Sequence, residues 1–122
     1  MSEMRFGLPE KAIEKMCTIF ALHPEIDQVI LYGSRTKGDF KPGSDIDLTL
    51  IGEKIDLNLL FRIDNEIDDL LLPWMIDLSI YSQIENKNLI DHINRIGQSF
   101  YQRNPNEPQS AESKEPPRST RN

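Results

Sequence analysis

The chain of 122 residues is poor in the residues that build covalent or metal cross-links. It has one cysteine, Cys17, and two histidines, His23 and His92. An intrachain disulfide is thereby excluded, nothing points to an oxidising compartment, and a Cys/His zinc site cannot be assembled. No run approaches the roughly 20 apolar residues that a bilayer span requires. The N-terminus lacks the basic-then-apolar pattern of a signal peptide, so the expected compartment is the cytoplasm. Positive charge is also scarce. The formal net charge is −6, which argues against duplex nucleic acid as the main partner, because phosphate backbones call for a basic face.

Large apolar side chains are missing from residues 103–122, where Pro, Ser, Asn, Glu and Lys/Arg dominate. Such a segment cannot bury enough surface to offset its ordering entropy, and it reads as a disordered polar tail. The tail carries four basic and three acidic residues, which leaves residues 1–102 with a formal −7. A domain of that size can bury a core without cross-links.

Within residues 1–102, helical and strand patterns alternate. Residues 8–23 place Ala12, Met16, Ile19, Phe20 and His23 on one helical face, ended by Pro24. The apolar, β-branched run 26–32 reads as a strand, and Gly33-Ser34 breaks it. A short helical turn is expected over 34–38. Residues 45–51 read as a second strand. Residues 56–71 carry Leu60, Ile63, Ile67, Leu70 and Leu71 along a helix closed by Pro73. Residues 74–81 read as a third strand. Ser82 and Glu85 form a capping-box pattern for a last helix, with Leu89, Ile93 and Ile96 on one face and Gly97 at its end. Residues 99–102 suggest a short edge strand. The alternation predicts an α/β (α+β) fold, helices packed on a small mixed sheet.

Two features carry chemistry. Asp45 and Asp47 lie two apart on a predicted strand, so their carboxylates leave the same face about 6–7 Å apart along the chain. Mg²⁺ is commonly held by one or two carboxylates together with substrate phosphates and water. Asp77 interrupts the apolar strand 74–81, where an unpaired charge is costly. Parity sets Met75, Asp77 and Ser79 on one face, and neighbouring strands would bring Asp77 beside the pair. Each feature has a plainer explanation: Asp-x-Asp is common on solvated strands, and a lone Asp can guard a sheet edge. The second feature is Gly33-Ser34-Arg35, directly after a strand. Glycine lets backbone approach a ligand closely, free N–H groups at a helical turn attract anions, and Arg35, Lys37 and Lys41 are a basic cluster in an acidic domain. An ordinary strand-to-helix turn would also account for the glycine.

The stretch YGSRTKGDFKPGSDIDLTL resembles the nucleotidyltransferase signature of the DNA polymerase beta-like superfamily: Gly-Ser, ten intervening residues, then Asp-x-Asp. Arg35, Gly38-Asp39, Pro42 and the run Ser44-Asp45-Ile46-Asp47-Leu48 are similar to the compact bacterial minimal nucleotidyltransferases. Asp77 is similar to their third carboxylate, and the likeness spans roughly residues 10–100. It implies a palm-like mixed sheet, two Mg²⁺ ions, and transfer of a nucleoside monophosphate with loss of pyrophosphate. Gly33 and Ser34 would hold the β- and γ-phosphates. Asp45 and Asp47 would bridge the metals. Asp77 would bind the catalytic metal and orient or deprotonate the attacking hydroxyl. Arg35 and Lys37 are added as phosphate partners on charge alone.

Minimal members of that superfamily are often antitoxins that transfer AMP from ATP to a tyrosine of a HEPN-type toxin, and the resemblance extends to them. Two other readings stay open. The chain could neutralise such a partner by stoichiometric contact without catalysis, or it could modify a small molecule or an RNA end. An intact trio of aspartates favours an enzyme, because a pure binder has no use for crowded like charges.

Overall fold

The structure is a computed structural model that describes residues 4–38, 40–41 and 43–103. It opens with a hairpin that the sequence pattern did not reveal. β1 (Met4–Arg5) pairs antiparallel with β2 (Leu8–Pro9). The two-residue loop, Phe6 and Gly7, has φ of 58° and 74°, the double positive φ of a type I′ turn. Asn-Gly or Asp-Gly would have advertised such a turn; Phe6 does not. Its ring compensates by stacking on Phe100 at 6.2 Å.

α1 (Glu10–Ala21) buries Ala12, Ile13, Met16, Ile19 and Phe20, the face its periodicity marks. β3 (Gln28–Tyr32) and β4 (Ile46–Ile51) pair antiparallel, and α2 (Ser34–Lys37) lies between them. α3 (Leu57–Asp68) starts on Asp56, whose side chain accepts from the Leu59 N–H at 2.9 Å. It buries Leu59, Ile63 and Ile67 and ends earlier than its apolar pattern suggests. Leu71 lies beyond it with φ of 56° and is 88% exposed. β5 (Ile76–Ile80) runs parallel to β4, as a strand–helix–strand crossover dictates. A 3₁₀ turn (Tyr81–Gln83) follows, then α4 (Lys87–Ile96). The expected Ser82/Glu85 box does not cap α4. Ser82 is part of the 3₁₀ turn and Ile84 is extended, so the helix nucleates on Asn86, whose side chain accepts from the N–H groups of Asn88 and Leu89. β6 (Gln98–Gln102) completes the sheet, in the order β5-β4-β3-β6.

The sheet has two unlike faces. Val29 and Leu31 of β3, Ile46, Leu48 and Leu50 of β4 and Ile80 of β5 join the side chains of α1 and α3 in one buried cluster. Ile30 and Tyr32 face the other way. There Gly97 lies so close to Ile30 that an added Cβ would clash, and His92 of α4 meets the Tyr32 ring edge-on at 6.4 Å. His23, buried at the end of α1, bonds Glu66 of α3 through Nε2 at 2.8 Å.

Arg103, assigned to the tail by composition, belongs to the folded unit. Its backbone N–H donates to Asp27 O at 2.9 Å, and its guanidinium donates to Ile26 O and His23 O. The rest of the expected polar tail lies outside the described residues. No helix among the described residues is long and apolar enough to cross a membrane.

Cys17 donates its S–H to Phe100 O at 3.4 Å, and burial pushes the thiol up to about 11. The thiolate is the nucleophile, so alkylation of the native protein at pH 8 is expected to be far slower than that of a free thiol and to reach the free rate on unfolding. Equal rates in both states would contradict this placement of Cys17.

Candidate active site

The site forms where β3, β4 and β5 meet on the α4 side of the sheet. Sheet register is its foundation: Asp47 stands directly beside Asp77 on parallel β5 and directly across from Tyr32 on antiparallel β3. Adjacent strands lie about 4.8 Å apart, so the two carboxylates leave neighbouring backbones on one face. Asp45 is exposed immediately before β4. Asp47 is pushed above the usual carboxylate range by burial first, then by Asp77 and Asp45, while His92 opposes the shift.

Tyr32 and His92 carried no signal in the sequence beyond strand parity for Tyr32. The Tyr32 phenol is raised by burial, with Asp77 and Asp47 adding to the rise and a hydrogen bond with Ser79 opposing it. Ser79 Oγ in turn donates to Thr49 Oγ1 at 2.9 Å. A row of hydroxyls thus runs along the sheet beside the carboxylates.

Gly33 closes against the same carboxylate. Its φ of 87° and ψ of −158° suit glycine alone, and a Cβ there would run into the Asp47 side chain. The Thr36 hydroxyl and N–H both donate to Gly33 O, at 2.6 and 3.1 Å, and tie the turn shut. Ser34 follows at the first position of α2, half-buried. Gly33→Ala is expected to lower the melting temperature and to displace Asp47. The measured variant should lose about 2 kcal/mol, typical of forcing a side chain into such a backbone well. A melt unchanged from wild type would show that the turn relaxes freely.

Arg35 is placed differently from Lys37. Its side chain is buried, the residue being 3% exposed. Nη1 donates to Phe6 O at 2.8 Å, Nη2 to Ser44 O at 2.8 Å, and the guanidinium lies 4.9 Å from the Phe40 ring centre. Arg35 therefore ties α2 to the hairpin loop and to the residue just before Asp45. Sequence charge alone had suggested a phosphate partner; the distant carbonyls that claim the guanidinium are invisible locally. Lys37 and Lys41 are exposed at the rim. Asp39 and Pro42 lie outside the described residues.

Among the described residues no group of three His, Cys, Asp or Glu side chains is gathered closely enough to hold a metal ion unaided. The donor set is nevertheless one that suits Mg²⁺: hard carboxylate oxygens on adjacent strands, open on one side. Mg²⁺ ordinarily completes its octahedron with substrate phosphates and water.

The family model for polymerase beta nucleotidyltransferases matches residues 14–106. The chain belongs to that nucleotidyltransferase family. No curated protein matches it by sequence. Among solved structures, a chain of a toxin–antitoxin complex with AMP-PNP aligns at a TM-score of 0.59 with 19% identity, covering 77% of this chain and 73% of that one. A chain of the tri-AMPylated Shewanella oneidensis HEPN toxin in complex with MNT antitoxin aligns at 0.57 with 14% identity, covering 77% and 72%. A chain of the MntA–HepT toxin–antitoxin aligns at 0.57 with 14% identity, covering 77% and 73%. At these identities the likeness establishes a shared fold.

Proposed function

We propose that this nucleotidyltransferase is an antitoxin that transfers AMP from ATP to a tyrosine of a cognate HEPN-type toxin, with two Mg²⁺ ions, and that it works in the cytoplasm. The observation that carries the reading is the Asp47–Asp77 register beside the Gly33 turn. Two carboxylates and a glycine that lets backbone approach them are what a triphosphate-and-metal site needs. An AMPylated toxin among the structural neighbours supports a protein acceptor.

In this reading the β- and γ-phosphates seat on the Gly33–Ser34 turn, with the Ser34 hydroxyl donating to a phosphate oxygen and Lys37 adding charge from the rim. Asp45, Asp47 and Asp77 would hold Mg²⁺, which neutralises charge on the transferring phosphoryl group. Asp77, on the exposed edge strand, faces the acceptor and takes the phenolic proton. The phenolic oxygen forms its bond to the α-phosphorus as the bond to the bridging oxygen breaks, and pyrophosphate leaves. Arg35 acts at a distance by holding Ser44 and so the approach of Asp45.

Incubation of the full chain with labelled ATP, Mg²⁺ and a HEPN-type protein encoded beside it tests this. Label on a tyrosine, with loss of toxicity, is the expected result. Neutralisation without label and without need of ATP would instead assign the chain to stoichiometric binding.

A further inference from the structure

The two edges of the sheet are chemically unlike. β6 ends it with the polar sequence QSFYQ, whereas β5 ends it with IDLSI, whose Ile76 and Leu78 are only half-buried. The Ile46 N–H donates to Met75 O at 2.9 Å. In a parallel ladder that orientation turns the backbone groups of Met75, Asp77 and Ser79 toward β4, and those of Ile76, Leu78 and Ile80 toward the open side. An apolar edge of this kind is a template for another strand unless something covers it.

A groove runs along the start of this edge, between α3 and the segment that enters β5. Asp64 and Asp68 line its helical side; Leu72, Trp74 and Met75 line the other. Met75 is 71% exposed, and Leu71 just before the groove is 88% exposed in a left-handed conformation that leucine rarely adopts. Further along the same helical stripe, Leu57 and Phe61 are 51% and 60% exposed. Large apolar side chains beside exposed carboxylates, in a folded unit (residues 1–103) that carries a formal net −6, complement a segment that is apolar and basic. The groove lies at the start of the strand that carries the site: Met75, which lines it, is two residues from Asp77 along the chain.

We propose that the free edge of β5 and its groove form the docking site for an extended, apolar and basic segment of the acceptor protein, which adds to the sheet as a fifth strand. The inference takes the class of partner, a protein acceptor, from the function proposed above. Main-chain pairing with Ile76, Leu78 and Ile80 supplies affinity, the groove and its aspartates select the side chains, and the acceptor is brought past Asp77.

The sole tryptophan, Trp74, lines the groove, so its emission reports docking without any catalysis. The probe is a nine-residue peptide alternating lysine and valine, titrated into the full chain without ATP. A saturable change in Trp74 emission is expected, and none with glutamate in place of lysine. Two versions N-methylated on alternate residues, in opposite phases, should behave differently: the phase that blocks main-chain pairing loses binding and the other keeps it. The double variant Asp64→Lys, Asp68→Lys should bind the lysine peptide at least tenfold more weakly while melting like wild type. Absence of any saturable change, equal binding of the glutamate peptide, or identical behaviour of both N-methylated phases would overturn the proposal. Because the readout needs no nucleotide, docking with no AMP transfer would count against the proposed function alone.

Discussion

Asp47→Ala is expected to reduce nucleotidyl transfer by about a thousandfold or more, which corresponds to about 4 kcal/mol of lost transition-state stabilisation. Asp47 is the central member of the trio. It lies beside Asp77 in the sheet and touches the Gly33 turn. Single-turnover label transfer, with Asp45→Ala in parallel, measures the loss; transfer near the wild-type rate in both variants would remove the site from this position.

The same residue should have the opposite effect on stability. Asp47 has a raised pKa in the folded state, so the folded chain holds that proton more tightly than the unfolded one, whose aspartates titrate near 3.9. The stability contributed by Asp47 is therefore fully present below the unfolded value and is lost as pH rises through the folded one. Above the folded value the ionised, crowded Asp47 is a liability. Asp47→Asn should melt at an equal or higher temperature than wild type in EDTA at pH 7, and the advantage should shrink toward pH 4. Mg²⁺ with nucleotide should stabilise wild type more than the variant, by mass action on the native state. A lower melting temperature for Asp47→Asn in EDTA would show that its carboxylate is a structural acceptor and that the crowding is not felt.

Arg35→Ala should damage the fold itself. The substitution removes charge-assisted hydrogen bonds to Phe6 O and Ser44 O and the contact with Phe40. Each such bond contributes roughly 1.5–3 kcal/mol, and a half-buried cation–ring contact about 1 kcal/mol. A net loss of about 3 kcal/mol would lower the melting temperature by more than 10 °C in a domain of this size. Arg35→Lys should recover little, because a single ammonium cannot span two carbonyls as the planar fork does. Ser34→Ala is the contrast: weaker ATP binding at an unchanged melting temperature. If Arg35→Ala melts like wild type while losing ATP affinity, the guanidinium serves phosphate and not the fold.

Arg35 and Asp77 also mark where sequence reasoning reaches its end. The alternation of side chains along a strand is a local property, so parity alone placed Asp45 with Asp47 and set Asp77 on one face of its strand. Helix periodicity likewise marked the buried face of α1 and, through Ile63 and Ile67, part of that of α3, where Leu59 is buried and Leu60 only half-buried; the spacing from Gly33-Ser34 to Asp-x-Asp marked two segments that the candidate site brings together. These features are written in short-range backbone geometry, which depends only on neighbouring residues.

Other features depended on contacts between distant residues. Parity could not say that β5 lies beside β4, and without that neighbour Asp77 is only an aspartate in a strand; the parallel crossover through α3 is what aligns it with Asp47. Arg35 looked like a free cation until the hairpin at Phe6 and the loop at Ser44 closed over it. The cap of α4 fell on Asn86, not Ser82, because the chain leaves β5 through a 3₁₀ turn. Tyr32 reached Asp47 through the β3–β4 register, and His92 came near it only when α4 packed on the far face of the sheet. By itself the sequence determined which side chains share a face and which residues could do phosphoryl chemistry. The tertiary structure decided which of them meet, because register and burial arise from long-range packing that no local pattern encodes.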